Sequence, residues 1–197
     1  MKKLKKYSLS DMLKTMKALS NEEKSELFGG TTYIMDAYGR ITSVEADDCS
    51  FDTVMVRKRK GSVAIYQCKG NMEETRENCQ WSDTNDNSTK YGTRLELKNA
   101  EFGLFKFLAD NTRVEWQAFY NGSRDASDET GCFLRTISDP YQVVGSDMSM
   151  MYSNMIHNHP DYNKNPSTAD RIAAEDYKNS GIYVKGKVGI INWFKTE

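Results

Sequence analysis

The only two histidines of the chain are His157 and His159, in the run His157-Asn158-His159-Pro160. Ser167 and Asp170 follow, so the segment reads H-x-H-x7-S-x2-D. Neutral imidazole is the commonest metal-ligand side chain. Two imidazoles and a carboxylate are one of the ligand sets that leave zinc an open position for water. Placing every histidine here therefore points to a metal site. Alternate residues of an extended segment point the same way, about 7 Å apart at Cα, so both rings can converge on one ion. Pro160 stops the strand. Pro166 sets the entry to a helix at Ser167, and Asp170 lies one turn in, where its carboxylate can swing back to the ion. Ser167 and Asp170 also spell a helix-start capping box, and that purely structural reading stays open for the pair.

The elements that must position these residues are readable from periodicity. Leu9, Met12, Leu13, Met16 and Leu19 follow the helical period, and Ser20 with Glu23 starts a second short helix that Gly29-Gly30 ends. Residues 32–69 change to strand-like alternation, with one hairpin turning near Tyr38-Gly39 and another around Lys58-Arg59-Lys60-Gly61. Residues 70–90 are polar and turn-rich and read as a long surface loop. From about residue 91 helices and strands alternate. The reading is a short strand Leu95 to Leu97, a helix capped by Asn99 with Phe102, Phe105 and Leu108 on one face, and a strand from Val114 to Tyr120. A polar loop over 123–131, a strand Cys132 to Ile137 and a segment Val143 to Ile156 then lead into the histidines. A helix from Ser167 to Lys178 ends near Gly181, and a hairpin around Lys185-Gly186-Lys187 closes the chain. Three parts are expected: a helical arm over 1–30, a β-hairpin region with its polar loop over 31–90, and an α/β domain over 91–197.

Bulk properties remove several classes. The 197 residues suit one domain, or a domain with an appendage, and the net charge of -1 provides no field to recruit nucleic acid or an acidic membrane. The basic start (Lys2, Lys3, Lys5, Lys6) runs into Tyr7-Ser8-Leu9-Ser10-Asp11 rather than an apolar stretch, so no signal peptide is expected, and nothing approaches a transmembrane length. Cys49, Cys68, Cys79 and Cys132 lack C-x2-C spacing and read as free thiols of a reducing compartment, with a Cys68–Cys79 disulfide as the alternative for an exported protein. H-E-x-x-H, G-x-S-x-G and phosphate-loop patterns are absent. Met148, Met150, Met151 and Met155 read as core packing, and Trp81, Trp116 and Trp193 as core or rim aromatics.

His157-Asn158-His159-Pro160, six residues, Ser167, two residues and Asp170 together resemble the JAMM motif of the JAB/MPN metallopeptidases. The resemblance implies that His157, His159 and Asp170 bind zinc and that Ser167 assists at the oxyanion. That family also carries a glutamate at a strand start after a helix. Glu115 stands in the matching place, with Glu101 as runner-up. The resemblance spans about residues 91–197. Glu115-Trp116 after a phenylalanine-rich helix narrows it to the JAB-like toxin domains that end bacterial polymorphic toxins. The implied fold is α/β (α+β), three-layered, with a mixed central sheet and flanking helices. The implied activity is hydrolysis of an amide or isopeptide bond in a protein or peptide substrate. Glu115 would carry the proton of a water whose pKa zinc lowers to about 7. An immunity protein is the implied partner, and neither nucleic acid nor membrane is expected. The location is cytoplasmic, or outside the cell through a specialised system or as part of a larger toxin. The region before residue 91 and the lack of a recognisable ubiquitin-binding insertion depart from the family and leave the substrate open. A metal-dependent nuclease toxin and an inactive JAB-fold interaction module are the competing readings.

Overall fold

The computed structural model describes residues 30–47, 51–58, 61–82, 88–123, 130–139, 148–161, 163–184 and 190–196. The helical arm read over residues 9–28, the loop over 124–129 and the closing turn over 185–187 lie outside the described residues. The architecture is mixed α+β and mostly sheet, with two helices among the described residues.

A four-stranded sheet of order β2-β1-β3-β4 is built from β1 (Gly30–Met35), β2 (Ile41–Asp47), β3 (Thr53–Arg57) and β4 (Val63–Gln67). Both expected hairpins are present, β1 with β2 and β3 with β4, and β1 runs parallel to β3. The first turn forms because Asp36 takes the Tyr38 and Arg40 amides on its carboxylate while Gly39 adopts φ +68.

The seven-stranded sheet has the order β11-β10-β9-β7-β8-β6-β5. Its strands are β5 (Glu73–Ser82), β6 (Thr89–Glu101), β7 (Gln117–Tyr120), β8 (Thr130–Thr136), β9 (Asn154–Asn158), β10 (Asn179–Val184) and β11 (Ile190–Lys195). All neighbours are antiparallel except β9 and β10, so the sheet is mixed. Helix α1 (Phe102–Asn111) and helix α2 (Thr168–Ala173) complete the described elements.

Strand alternation sorts the side chains onto two faces. Leu97, Ala118, Tyr120, Leu134 and Ile156 share one core with Phe102, Leu104, Phe105 and Leu108 of α1 and with Tyr33, Met35, Val54 and Val56 of the small sheet. Phe119, Phe133 and Met155 form a second core with Ala174 and Tyr177 after α2. His157 has the parity of Met155, so strand geometry alone turns it toward the α2 side.

The structure corrects four local expectations. Residues 73–82 and 89–101 are a long antiparallel ribbon where a polar loop and a short strand were expected. The ribbon escapes hydrophobic patterning because backbone pairing and charged pairs hold it, Arg94 with Glu77 and Arg94 with Glu96 at 3.1 Å. Asn99 does not cap α1. It sits at φ 55 in a β-bulge of β6, and Glu101 precedes the helix without a side-chain cap bond. The signal is ambiguous because the short polar side chain that suits a cap also tolerates the left-handed region. The strand expected from Val114 begins only at Gln117. Finally, α2 ends at Ala173, and Gly181 lies inside β10, where an added Cβ would come within 2.8 Å of Ile191. That glycine marks a close approach rather than a helix end. Cys68, Cys79 and Cys132 are free thiols, so the Cys68–Cys79 disulfide is not formed.

Candidate metal centre

Strand β9 is buried along its whole length and delivers His157 at its edge. Gln117 of β7 and Ile182 of β10 are its neighbours in register. The chain then leaves the sheet at His159 and Pro160. The loop that follows is tied down locally: Asp161 accepts the Asn163 amide at 3.1 Å, Asn163 accepts the Asn165 amide at 3.0 Å, and Asn192 of β11 donates to the Lys164 carbonyl. Helix α2 starts with a complete capping box. The Asp170 amide donates to Ser167 Oγ at 3.1 Å, and the Ser167 amide donates to Asp170 Oδ2 at 2.6 Å. Ser167 is exposed and stands as the N-cap, while the Asp170 carboxylate turns inward.

Glu115 arrives from the other side, on the irregular stretch between α1 and β7. Its amide donates to the Asp139 carbonyl at 2.8 Å, and its carbonyl accepts from Thr136 Oγ1 at 2.7 Å. Thr112 ends α1 by donating to the Leu108 carbonyl at 2.8 Å and accepts the Trp116 indole N–H at 3.0 Å. The base of the helix and the Glu115 stretch are thereby joined through buried groups.

These elements bring four side chains to one point. His157 Nε2 lies 3.0 Å from His159 Nε2, 3.3 Å from Asp170 Oδ1 and 3.8 Å from Glu115 Oε1, and His159 Nε2 is 3.5 Å from Asp170 Oδ2. One donor atom from each of the four falls within 4.8 Å of the other three. Phe194 of β11 closes over His157 edge-on, with ring centroids 6.4 Å apart. Ser167 is not among the converging groups, and neither is Glu101. Glu101 is buried elsewhere and accepts from Tyr66 Oη at 3.1 Å and from the Lys69 amide.

The electrostatics follow from burial and mutual contact. Burial pushes the Glu115 carboxyl up to about 7, although both histidines pull it down. Burial also pushes Asp170 upward, but hydrogen bonds with both histidines outweigh it and hold the carboxyl well below the usual carboxylate range. For His159, burial lowers the imidazole pKa, yet the Asp170 hydrogen bond and the Glu115 charge raise it above its ordinary value.

The donor set fits a divalent metal. His159 Nδ1 sits 3.0 Å from the Asn163 carbonyl, an acceptor, so in the neutral ring Nδ1 carries the proton and Nε2 is a bare lone pair. That nitrogen faces His157 Nε2 and the carboxyl groups of Asp170 and Glu115. Protons on the imidazoles bridge such a cluster when it is metal-free, and a divalent ion can take their place. Two imidazoles with carboxylates suit zinc and other first-row divalent ions.

Asn158, Thr136, Asp139 and Asn163 support the site without being singled out by sequence motifs. For Asn158 a signal exists. Strand alternation turns it away from its flanking histidines, and a buried asparagine there needs backbone partners.

Residues 93–181 match the model of the family described as JAB-like toxin 1. No curated protein and no solved structure matches the chain. The matched stretch runs from β6 into β10 and includes Glu115, His157, His159 and Asp170, the group able to hold a metal ion. Over residues 93–181 the chain is therefore similar to the JAB-like toxin 1 family.

Proposed function

We propose that the chain is a zinc-dependent peptidase or isopeptidase of JAMM type, acting as the effector part of a bacterial toxin on an amide bond of a protein substrate. The observation that carries the reading is the buried Glu115 carboxyl, pushed up to about 7 and 3.8 Å from His157 within the His157, His159 and Asp170 cluster. A general base works best with a pKa near the working pH, and burial supplies that here.

His157, His159 and Asp170 would hold the ion, which when bound polarises the scissile carbonyl and acidifies a water. Glu115 accepts a proton on its carboxylate and returns it to the leaving amine. Its backbone is pinned at both N–H and C=O, so the carboxylate holds its bearing through the cycle. Ser167 Oγ already accepts the Asp170 amide, which leaves its O–H able to donate to a developing oxyanion. Asp170, held ionised, orients both imidazoles.

In this reading residues 91–197 are the catalytic domain, and residues 1–30 and 31–90 are an arm and a β-rich addition. An immunity protein protects the producing cell, and export uses a specialised system or a larger toxin polypeptide. Among the described residues no helix is long and apolar enough to cross a membrane. The test is to incubate zinc-loaded and chelated protein with isopeptide-linked protein, with unstructured peptides and with plasmid DNA. Zinc-dependent amide cleavage is expected. Cleavage of the plasmid alone assigns the cluster to a nuclease, and inertness toward all three substrates in zinc-loaded protein assigns it to an interaction module.

A further inference from the structure

The small sheet has two faces. Tyr33, Met35, Val54 and Val56 enter the core shared with α1. Strand alternation therefore turns Ile34, Met55, Val63 and Ile65 the other way. Register sets Ile34 beside Met55 and Met55 beside Ile65, one row across three strands, and Val63 lies two residues before Ile65 on β4. Thr32, Glu45, Thr53, Arg57 and Gln67 rim the row. A sheet face turned to water carries polar side chains along its centre as well as its rim. Here the centre is apolar. Ile65 is 61% exposed and Val63 48%, while Ile34 keeps 4% of its surface and belongs to neither hydrophobic core.

We propose that residues 9–28 of this chain dock as an amphipathic helical arm on the outer face of the small sheet. The arm lies outside the described residues, and its sequence supplies the matching surface. Leu9, Met12, Leu13, Met16 and Leu19 recur at helical spacing and form one stripe, with Asp11, Lys14 and Ala18 on the opposite side. Most of the stability of such a helix comes from burying its stripe. As a helix, residues 9–19 would span about 16 Å. The four strands of the sheet, about 4.8 Å apart, span about 14 Å. The stripe is long enough to cross the row from edge to edge.

Connectivity selects this occupant. The arm ends at Gly29-Gly30, and Gly30 is the first residue of β1, the strand that carries Ile34. Two glycines in succession allow the chain to reverse. The arm is therefore tethered at the border of the face it covers, at a high effective concentration. A second copy would need about 800 Å² per partner, more than four apolar side chains supply. Strand β4, which carries the two most exposed members of the row, is also an edge strand. A covering helix is one way to keep such an edge from pairing with another chain. Arm and face both precede residues 93–181, the stretch similar to the toxin family, and the proposal stands apart from the peptidase reading.

The test is photo-cross-linking in the full chain. Ile65→p-benzoylphenylalanine places the probe on the row, and the same replacement at Tyr91, 75% exposed on the β5–β6 ribbon, is the control. After irradiation, monomer is separated from dimer, digested and mapped by mass spectrometry. Monomer labelled at position 65 is expected to give adducts with peptides from residues 9–28, and monomer labelled at position 91 is not. Adding Leu13→Asp and Met16→Asp should lower the adduct yield by about tenfold or more, since two buried apolar side chains are lost from the contact. Lys14→Asp, on the opposite side of the arm, should leave it unchanged. If the double variant fails to fold, the comparison of positions 65 and 91 in the otherwise unaltered chain still decides. Adducts that join two chains assign the face to a second copy and overturn the proposal. Arm adducts no more abundant from position 65 than from position 91 overturn it as well.

Discussion

Asn158 and Trp116 are joined twice: Asn158 Oδ1 accepts the Trp116 amide at 2.8 Å, and the Asn158 amide donates to the Trp116 carbonyl at 3.2 Å. Asn158 Nδ2 also donates to the Val114 carbonyl at 3.2 Å. The residue between the two histidines therefore clasps the backbone on both sides of Glu115. One tripeptide aims two rings at the Asp170 carboxylate from one face and fixes the distance to Glu115, the fourth member of the cluster, from the other.

Removing that clasp should be costly. Asn158→Ala leaves the buried Trp116 N–H and Val114 C=O without these partners, a loss of about 2–4 kcal/mol. Urea unfolding of the chelated protein measures it. Zinc affinity, read by competition with a chromogenic chelator, should fall by about tenfold. Unchanged stability and affinity would show that the clasp contributes nothing.

Glu115→Gln preserves shape while abolishing basicity. Zinc content after dialysis should stay near that of the parent, and the rate of amide cleavage should drop by about 100-fold or more. His159→Ala should lower both zinc content and rate. An active Glu115→Gln protein removes the general-base role.

The metal-free protein should lose stability as pH rises. The Glu115 pKa is raised from 4.5 to about 7 on folding, so the folded state holds the proton more tightly and stability falls through that window. The His159 pKa is also raised, from 6.5, so its contribution is present below that value and is lost as pH climbs through the folded one. Both slopes point the same way. Urea midpoints of chelated protein should decline from about pH 5 to about pH 8, and Glu115→Gln should flatten the lower part of the decline. A midpoint that rises with pH contradicts both assignments.

Metal addition should reverse the loss. An ion that binds only the folded state raises its stability by about 2.7 kcal/mol at a hundredfold excess over Kd. Saturating zinc near neutral pH is therefore expected to raise the melting temperature of the parent and of Glu115→Gln by several degrees. In His159→Ala the shift should be largely lost.

Gly39 links the small sheet to the site. It holds φ +68, and a Cβ would press on Val114 and Trp116. Gly39→Ala should destabilise the fold by about 1–3 kcal/mol and disturb the Glu115 stretch. Thermal unfolding together with amide cleavage reports both effects, and Gly61→Ala, at φ +78 with open space around its Cβ position, is the control for backbone strain alone.

The sequence by itself determined what short-range geometry encodes. Strand parity sets His157 and Asn158 on opposite faces, Pro160 turns the chain out of the sheet, and the Ser167 to Asp170 spacing carries both a capping box and a carboxylate one turn into α2. The two early hairpins and the buried face of α1 were legible for the same reason, since turn chemistry and periodicity are local. Only the tertiary structure decided which strands became neighbours. Pairing of β7 with β9 sets Gln117 opposite His157 and so brings Glu115, distant in sequence, to the His157, His159 and Asp170 cluster. The β5–β6 ribbon was silent because backbone ladders and charge pairs hold it, and neither leaves a hydrophobic period. The desolvation that lifts Glu115 toward neutrality likewise depends on side chains packed around it from several elements, a quantity no spacing of letters contains.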